Sequence, residues 1–290
     1  MIHRKGHIMQ ERKIMAPLLR ERLSGRHRPL IAAHKGSAGG NVMPNTVGAF
    51  TAAIRQGADI VECDVARTSD GTLILFHDGT EPLYLGIKQN VRTLSYPQLL
   101  ETGYVNCNNN RTNQKVQEFR QALQAFKGKT LFNVDRGWDH WDSIVEEIER
   151  QGMAAEVLLK SPPRPDLLAR LESYPKKYMY MPIVSSMEDF RAARGHEINT
   201  VAVELIFASA ESDLARPEFL KSLKEEGILA WCNSLKLSDR HFFCGEFDDD
   251  VSILQGPEKG WGRLLDLGFD ILQTDWPAIL RDYLNGRYGG

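Results

Sequence analysis

The sequence is poor in cysteine, in net charge and in long apolar runs, and each shortage excludes a class of protein. Its 290 residues include four cysteines without the spacing of a disulfide framework, so we expect free thiols at Cys63, Cys107, Cys232 and Cys244. The formal net charge of −2 offers no basic footprint for nucleic acid. No apolar run approaches the roughly 20 residues that span a bilayer, so no membrane span is expected.

Two neighbouring segments are expected to bring an imidazole beside two carboxylates. Residues 57–65 (GADIVECDV) predict a strand whose period of two places Glu62 and Asp64 on one face. Asp70-Gly71 is a two-residue hairpin signal, and a second strand (TLILF) follows it. A tight turn pairs Asp64 with His77 across the ladder and leaves Glu62 as a diagonal neighbour. We predict a metal site with an acid/base group beside it; the alternative is a solvated strand face with a surface histidine.

Apolar segments of strand length recur along the chain, and helical patterns lie between most of them. Strands are predicted near residues 30–34, 59–65, 130–135, 156–160, 178–183, 200–206, 228–233 and 270–273. Eight strands joined by helices indicate an α/β fold, a (β/α)8 TIM-type barrel, with a β-hairpin after strand two. Catalytic groups in such barrels lie at the carboxyl ends of the strands.

The predicted domain organisation is one catalytic barrel with an amino-terminal extension. The barrel covers residues 29–290 and carries an irregular insert at residues 80–113, which we expect to cover the site as a lid. Residues 1–28 are polar and basic, and we expect a helix there that closes the bottom of the barrel. They contain no apolar core of signal-peptide length, which favours a cytoplasmic protein.

A series of short motifs resembles the glycerophosphodiester phosphodiesterase family, a group of phospholipase-C-like phosphodiesterase barrels. In chain order the motifs are His34-Lys35-Gly36, Pro44-Asn45-Thr46, Glu62-Cys63-Asp64, Asp70-Gly71, His77-Asp78 and the closing segment from Gly268 to Pro277. The resemblance covers about residues 29 to 282. It implies a phosphoric diester hydrolase that acts on glycerophosphodiesters, with a nucleophile that is either water or a neighbouring substrate hydroxyl.

Three departures from the family pattern bear on the substrate. Lys35 replaces an arginine, so a point charge replaces a bidentate phosphate fork. Pro44 lies where the family usually has glutamate, and Asp135-Arg136-Gly137 replaces a Glu-x-Lys strand end. The related sphingomyelinase D toxins carry aspartate at the Asp135 position. Because of these departures, the alternative function is that of a catalytically silent barrel that binds a phosphorylated ligand.

The candidate chemistry is metal-assisted hydrolysis of a phosphodiester. Glu62, Asp64 and Asp135 supply the hard oxygen ligands that Mg²⁺ or Ca²⁺ prefers, and a substrate phosphate would complete the coordination shell. His34 and His77 are the candidate acid/base pair, and such proton transfer is worth roughly 10²–10⁴-fold in rate.

Other polar side chains at predicted strand ends are candidate substrate contacts. They are Lys35, Lys160, Glu204, Trp231 and Asn233. The alternatives are an ordinary ion pair for Lys160, loop hydrogen bonds for Glu204 and Asn233, and barrel core for Trp231. The run Asp248 to Asp250 is expected to be an exposed acidic turn.

The substrate expected from these residues is a glycerophosphodiester or a related soluble sugar phosphodiester. No apolar rim or targeting segment is evident in the sequence, which places a lysophospholipase D or sphingomyelinase D-like activity second. The sequence does not decide the oligomeric state.

Overall fold

The computed structural model describes Leu19 and residues 28–289. The predicted helical extension at residues 1–28 therefore lies outside the described residues, apart from Leu19 and Arg28. Leu19 is buried in an interior apolar cluster with residues such as Leu30 and Ile60.

Eight parallel strands of the described residues form a closed barrel, as predicted. The strands in chain order are β1 (Leu30–Ala33), β2 (Ile60–Arg67), β3 (Leu73–Leu75), β4 (Leu131–Asp135), β5 (Val157–Ser161), β6 (Met179–Val184), β7 (Asn199–Thr200), β8 (Ala202–Leu205), β9 (Leu229–Asn233) and β10 (Ile271–Thr274). The barrel runs in the order β2-β4-β5-β6-β8-β9-β10-β1 and closes by pairing β1 with β2. β3 pairs antiparallel with β2, and β7 extends the pairing of β6.

Helices connect the strands and cover the outside of the barrel. The α-helices are Val47–Arg55, Glu81–Tyr84, Tyr96–Glu101, Phe119–Phe126, Trp141–Gln151, Pro165–Ser173, Met187–Arg194, Pro217–Glu226, Asp249–Leu254, Trp261–Leu267 and Pro277–Tyr288, and 3₁₀ turns lie at Val91–Thr93, Gly137–His140 and Asp213–Ala215. Helices on the outside require the outward strand residues to be apolar, which explains why the strands are apolar on both faces.

The inward-facing side chains change from apolar to polar along most of the barrel strands. Toward the amino ends, the interior is filled by a cluster that includes Leu30, Ile60, Leu131, Leu158, Trp231 and Ile271. Two residues further along the strands, the same inward positions hold Glu62, Asn133, Lys160, Asn233 and Gln273. Because the side-chain period of a strand is two, this switch places the polar groups together at the carboxyl end of the barrel.

The hairpin after β2 forms, but its register differs by one residue from the prediction. Val65 pairs with Leu75, so the loop holds three residues rather than two. The Thr68 hydroxyl accepts a hydrogen bond from the Thr72 N–H at 2.9 Å, and Gly71 takes a left-handed φ of +91°. A three-residue loop with glycine in that conformation is a standard hairpin.

The predicted pairing of Asp64 with His77 was therefore wrong. The carbonyl of Asp64 accepts instead from the N–H of Phe76, at 3.0 Å. His77 follows that pair, after β3 has ended.

Residues 80–113 pack as a small layer on this hairpin. Leu85, Val91, Leu99 and Tyr104 form an apolar cluster with hairpin residues such as Ile74. The tip of the segment reaches the loop after β1, where the Asn106 side-chain amide donates to the Asn41 side-chain oxygen at 2.7 Å.

Candidate active site

Three carboxylates meet at the carboxyl ends of two adjacent strands. Glu62 and Asp64 lie on β2, and Asp135 ends β4 directly beside Asp64 in the parallel register. One ligand oxygen from each lies within 4.8 Å of the others. We call these three residues the carboxylate cluster. Asp64 and Asp135 are 71 positions apart in the sequence, and they meet because β2 and β4 are adjacent strands.

Backbone N–H groups hold two members of the cluster. The N–H of Lys35 donates to Glu62 Oε2 at 2.9 Å, and the N–H of Arg136 donates to Asp135 Oδ1 at 2.7 Å. Such hydrogen bonds orient the two carboxylates without neutralising their charge.

Asn45 holds the third carboxylate, Asp64, through both ends of its amide. Its Nδ2 donates to Asp64 Oδ2 at 2.8 Å, and its Oδ1 accepts from the Asp64 N–H at 3.0 Å. Lys35, Asn45 and Arg136 all adopt left-handed backbone angles, with φ of 55°, 56° and 62°. That conformation costs an ordinary residue free energy, and its recurrence at all three contacts marks a functional site.

Lys160 lies between the buried carboxylate of Glu204 and the partly buried carboxylate of Asp135. Its ammonium nitrogen is 2.8 Å from Asp135 Oδ2 and 2.7 Å from Glu204 Oε2. Although burial opposes it, the attraction of Asp135 and Glu204 raises the pKa of Lys160 above its ordinary value. The same pairing lowers the pKa of Asp135 against the opposing effect of burial. Both groups are therefore charged at neutral pH.

Glu62 has the least compensated charge of the cluster. It is 1% exposed, and its protein contact is the neutral N–H of Lys35 rather than an ion pair. Burial, followed by repulsion from Asp64 and Asp135, raises the pKa of Glu62 well above its ordinary value. A cation beside the cluster would relieve this repulsion.

His34 follows β1 and lines a cavity of about 860 Å³. Its Nδ1 lies 2.9 Å from Asp275 Oδ1. The other ring nitrogen, Nε2, has no hydrogen-bond partner among the described residues. Lys35 also lines the cavity, and its ammonium is 3.6 Å from Asp64 Oδ2. The cavity and the cluster are thus adjacent.

His77 is half-buried in a turn after β3. Its Nδ1 lies 3.0 Å from the carbonyl oxygen of Asp78, and a carbonyl can only accept, so this nitrogen carries the proton of the neutral ring. The Thr80 hydroxyl donates to the His77 carbonyl at 2.6 Å and fixes the turn. In both histidines Nδ1 is the bonded nitrogen.

Comparisons with known proteins extend over nearly the whole chain. Lysophospholipase D of Homo sapiens is 23% identical over 292 residues, covering 92% of this chain and 90% of that protein. A glycerophosphodiester phosphodiesterase of Caldanaerobacter subterraneus is 45% identical over 53 residues, which cover 18% of this chain and 21% of that protein. Residues 180–284 match a family described only as a domain of unknown function.

Solved structures share the fold. A glycerophosphoryl diester phosphodiesterase of Parabacteroides distasonis superposes with a TM-score of 0.71 at 18% identity, over 90% of this chain and 87% of that one. An Oleispira antarctica phosphodiesterase in complex with sn-glycerol-3-phosphate superposes with a TM-score of 0.63 at 15% identity, over 89% and 97%. The chain thus shares its fold with solved glycerophosphodiester phosphodiesterases and is similar in sequence, at low identity, to curated proteins of that kind.

Four of the predicted substrate contacts are engaged within the barrel itself. Lys160 and Glu204 pair with each other, and Asn233 donates to Glu204 Oε1 at 3.3 Å. Trp231 is completely buried in the interior cluster, and its indole N–H donates to Gln273. A contact between any of these four residues and the substrate stays a prediction.

Sequence reasoning missed a buried residue that contacts the closing segment from Gly268 to Pro277. Asp249 was predicted to lie in an exposed turn, but it is 2% exposed and its carboxylate accepts from the Asp275 N–H at 2.9 Å. Of the three consecutive aspartates only Asp250 is exposed. The available signal was position, because Asp249 begins a helix that follows the β9 loop, on the catalytic side of the barrel.

The cavity mouth carries an apolar rim that the sequence did not reveal. It consists of Val42, Leu83, Leu237, Trp276 and Ile279, each at least one-third exposed although large and apolar. These residues come from four separate segments of the chain. Exposed apolar side chains gathered at one opening mark a binding surface for an apolar group.

Proposed function

We propose that this chain is a metal-dependent phosphodiester hydrolase that acts on glycerophosphodiesters or related soluble sugar phosphodiesters. The observation that carries the proposal is the carboxylate cluster at the carboxyl end of the barrel, linked through the Lys35 N–H to the cavity that His34 lines. The similarity to proteins named glycerophosphodiester phosphodiesterase supports the same reaction class.

Glu62, Asp64 and Asp135 would hold the divalent cation. Their oxygens are the ligand type of Mg²⁺ and Ca²⁺, and burial, followed by repulsion from Asp64 and Asp135, raises the pKa of Glu62. When bound, the cation supplies positive charge against the nonbridging oxygens of the phosphate.

The two histidines would divide the proton transfers. His34 and His77 each have Nδ1 engaged, by Asp275 and by a carbonyl, so Nε2 is the nitrogen that exchanges a proton. One ring takes the proton of the nucleophile, and the other protonates the alkoxide that leaves phosphorus. Lys35 adds a positive charge at the cavity wall, since the attraction of Asp64 and Glu62 outweighs burial and raises its pKa.

A lysophospholipid is the second candidate substrate, and the apolar rim favours it. Leu83 is 64% exposed and Leu237 is 58% exposed at the opening of the cavity that contains His34. An acyl chain on the diester would cover such side chains, at about 25 cal/mol per Å² of apolar surface removed from water. Full-length relatives named lysophospholipase D are consistent with this alternative.

The test is a substrate panel assayed with defined metal. Chelator-stripped full-length protein is given Mg²⁺, Ca²⁺ or Mn²⁺ with glycerophosphocholine, a sugar phosphodiester or lysophosphatidylcholine, and the released products are quantified. We expect no turnover after stripping and recovery with metal. Full activity after exhaustive chelation would refute metal dependence.

Matched variants separate the two substrates and the metal. Asp64→Asn should lower turnover at least about 10-fold, whereas Asp166→Asn, the same change at an exposed position, should not. Leu83→Ser with Ile279→Ser should weaken activity on lysophosphatidylcholine alone if the acyl chain lies on the rim. Equal loss on glycerophosphocholine would contradict that role.

A further inference from the structure

A buried carboxylate, Asp249, binds the end of β10 from behind the active site. Its Oδ1 accepts from the Ser234 hydroxyl at 2.6 Å and from the Trp261 indole N–H at 2.8 Å. The Thr274 hydroxyl lies 2.9 Å from both oxygens, and the Asp275 N–H donates to Oδ2 at 2.9 Å. Residues from three other segments thus determine where Asp275 lies.

Asp275 in turn contacts His34 across the seam where the barrel closes. Ala33 and Thr274 are register partners of β1 and β10, and the His34 N–H donates to the Thr274 carbonyl at 3.2 Å. His34 and Asp275 are therefore the next residues on two paired strands. Their side chains meet at 2.9 Å, and both line the cavity.

We propose that Asp249 is a positioning residue for His34. It fixes the backbone and the carboxylate direction of Asp275, and Asp275 accepts the Nδ1 proton of His34. That bond selects the tautomer in which Nε2 is unprotonated and faces the cavity. The proton transfer at Nε2 rests on the proposed function. The effect of Asp249 on the tautomer of His34 does not depend on that function.

The alternative is that Asp249 serves folding alone, and β10 offers a matched comparison. Asp270 precedes the same strand at its other end, and its Oδ2 accepts from the Ala230 N–H at 3.0 Å. It is a largely buried carboxylate that binds backbone far from the cavity. Its removal should therefore cost stability only.

The experiment compares Asp249→Asn, Asp275→Asn and Asp270→Asn in the full chain. The ¹⁵N chemical shifts of the His34 ring, assigned with His34→Gln, are measured in the metal-free protein. Wild type should show Nδ1 protonated, and the first two variants should gain the Nε2-protonated form. Asp270→Asn should lower Tm and leave the ring unchanged.

Kinetics with Mg²⁺ and glycerophosphocholine give the second readout. We expect kcat to fall about 10²-fold in Asp275→Asn and about 10-fold in Asp249→Asn, with KM changed less than about 3-fold, because in the proposal both groups act through the His34 ring. If no diester is hydrolysed, the proposed function is wrong. The ¹⁵N shifts of the His34 ring then still test whether Asp249 positions His34.

Unchanged His34 shifts in Asp249→Asn, with a Tm loss like that of Asp270→Asn, would overturn the inference. If Asp249→Asn does not fold, Thr274→Val removes one donor at nearly constant volume. That variant should give a smaller shift in the same direction, and no shift would equally overturn the proposal.

Discussion

Replacing Lys160 by methionine should destabilise the fold far more than the same change at the surface. The Lys160 side chain is 3% exposed, and its ammonium lies within 2.8 Å of both Asp135 and Glu204. Methionine keeps the length of the side chain but leaves the buried Glu204 and the partly buried Asp135 without their cation. Removing one partner of a buried ion pair costs about 3–5 kcal/mol.

Lys176→Met is the matched control. Its ammonium lies 2.8 Å from Glu149 Oε1, a comparable distance, but the two side chains are 48% and 41% exposed. Exposed pairs contribute about 0–1 kcal/mol, so this variant should be nearly neutral. The chemical change and the ion-pair distance are the same in the two variants, whereas burial and the number of carboxylate partners differ.

The assay is urea unfolding at pH 7 in the presence of chelator, so that a bound cation cannot mask the change. A loss of 3–5 kcal/mol corresponds to a Tm decrease of roughly 5–8 °C for a chain of this size. Lys160→Met with Glu204→Gln should recover part of the loss, because one of the two unpaired charges is then removed. If Lys160→Met unfolds at the same urea concentration as Lys176→Met, the ion-pair argument is refuted.

Two further predictions concern the histidines and the buried aspartate. His34→Ala and His77→Ala should each lower kcat at least about 10²-fold. In the double variant the fall in kcat should be much smaller than the product of the two single falls. Steady-state kinetics on an unactivated diester will measure both. Burial raises the pKa of Asp249 to about 7, so the native state holds this proton at pH values where the unfolded chain has lost it. The free energy of unfolding should therefore fall by up to about 4 kcal/mol as pH rises from about 4 to about 7. Asp249→Asn should flatten this pH dependence, measured by thermal unfolding. An unchanged pH dependence in that variant would contradict the assignment of the proton to Asp249.

The order and approximate bounds of the barrel strands could be predicted from the sequence. Local chemistry decides them, because each strand is a short apolar run bounded by turn or helix signals. The placement of Glu62 and Asp64 on one face follows from the same local rule, since they are two residues apart on β2.

The hairpin register was not available from the dipeptide Asp70-Gly71. The Thr68 hydroxyl binds the Thr72 N–H and Asp70, which stabilises a three-residue loop over the expected two-residue turn. A difference of one residue moves the cross-strand partner of Asp64 from His77 to Phe76.

Only the tertiary structure decided the contacts that join distant parts of the chain. His34 and Asp275 are separated by 241 positions and meet because β1 pairs with β10 to close the barrel. Asp249 lies in an acidic run that resembles a solvated turn, yet donors from three other segments surround it. Sequence pattern reports the polarity of a residue, whereas burial and partners depend on which segments the fold brings beside it.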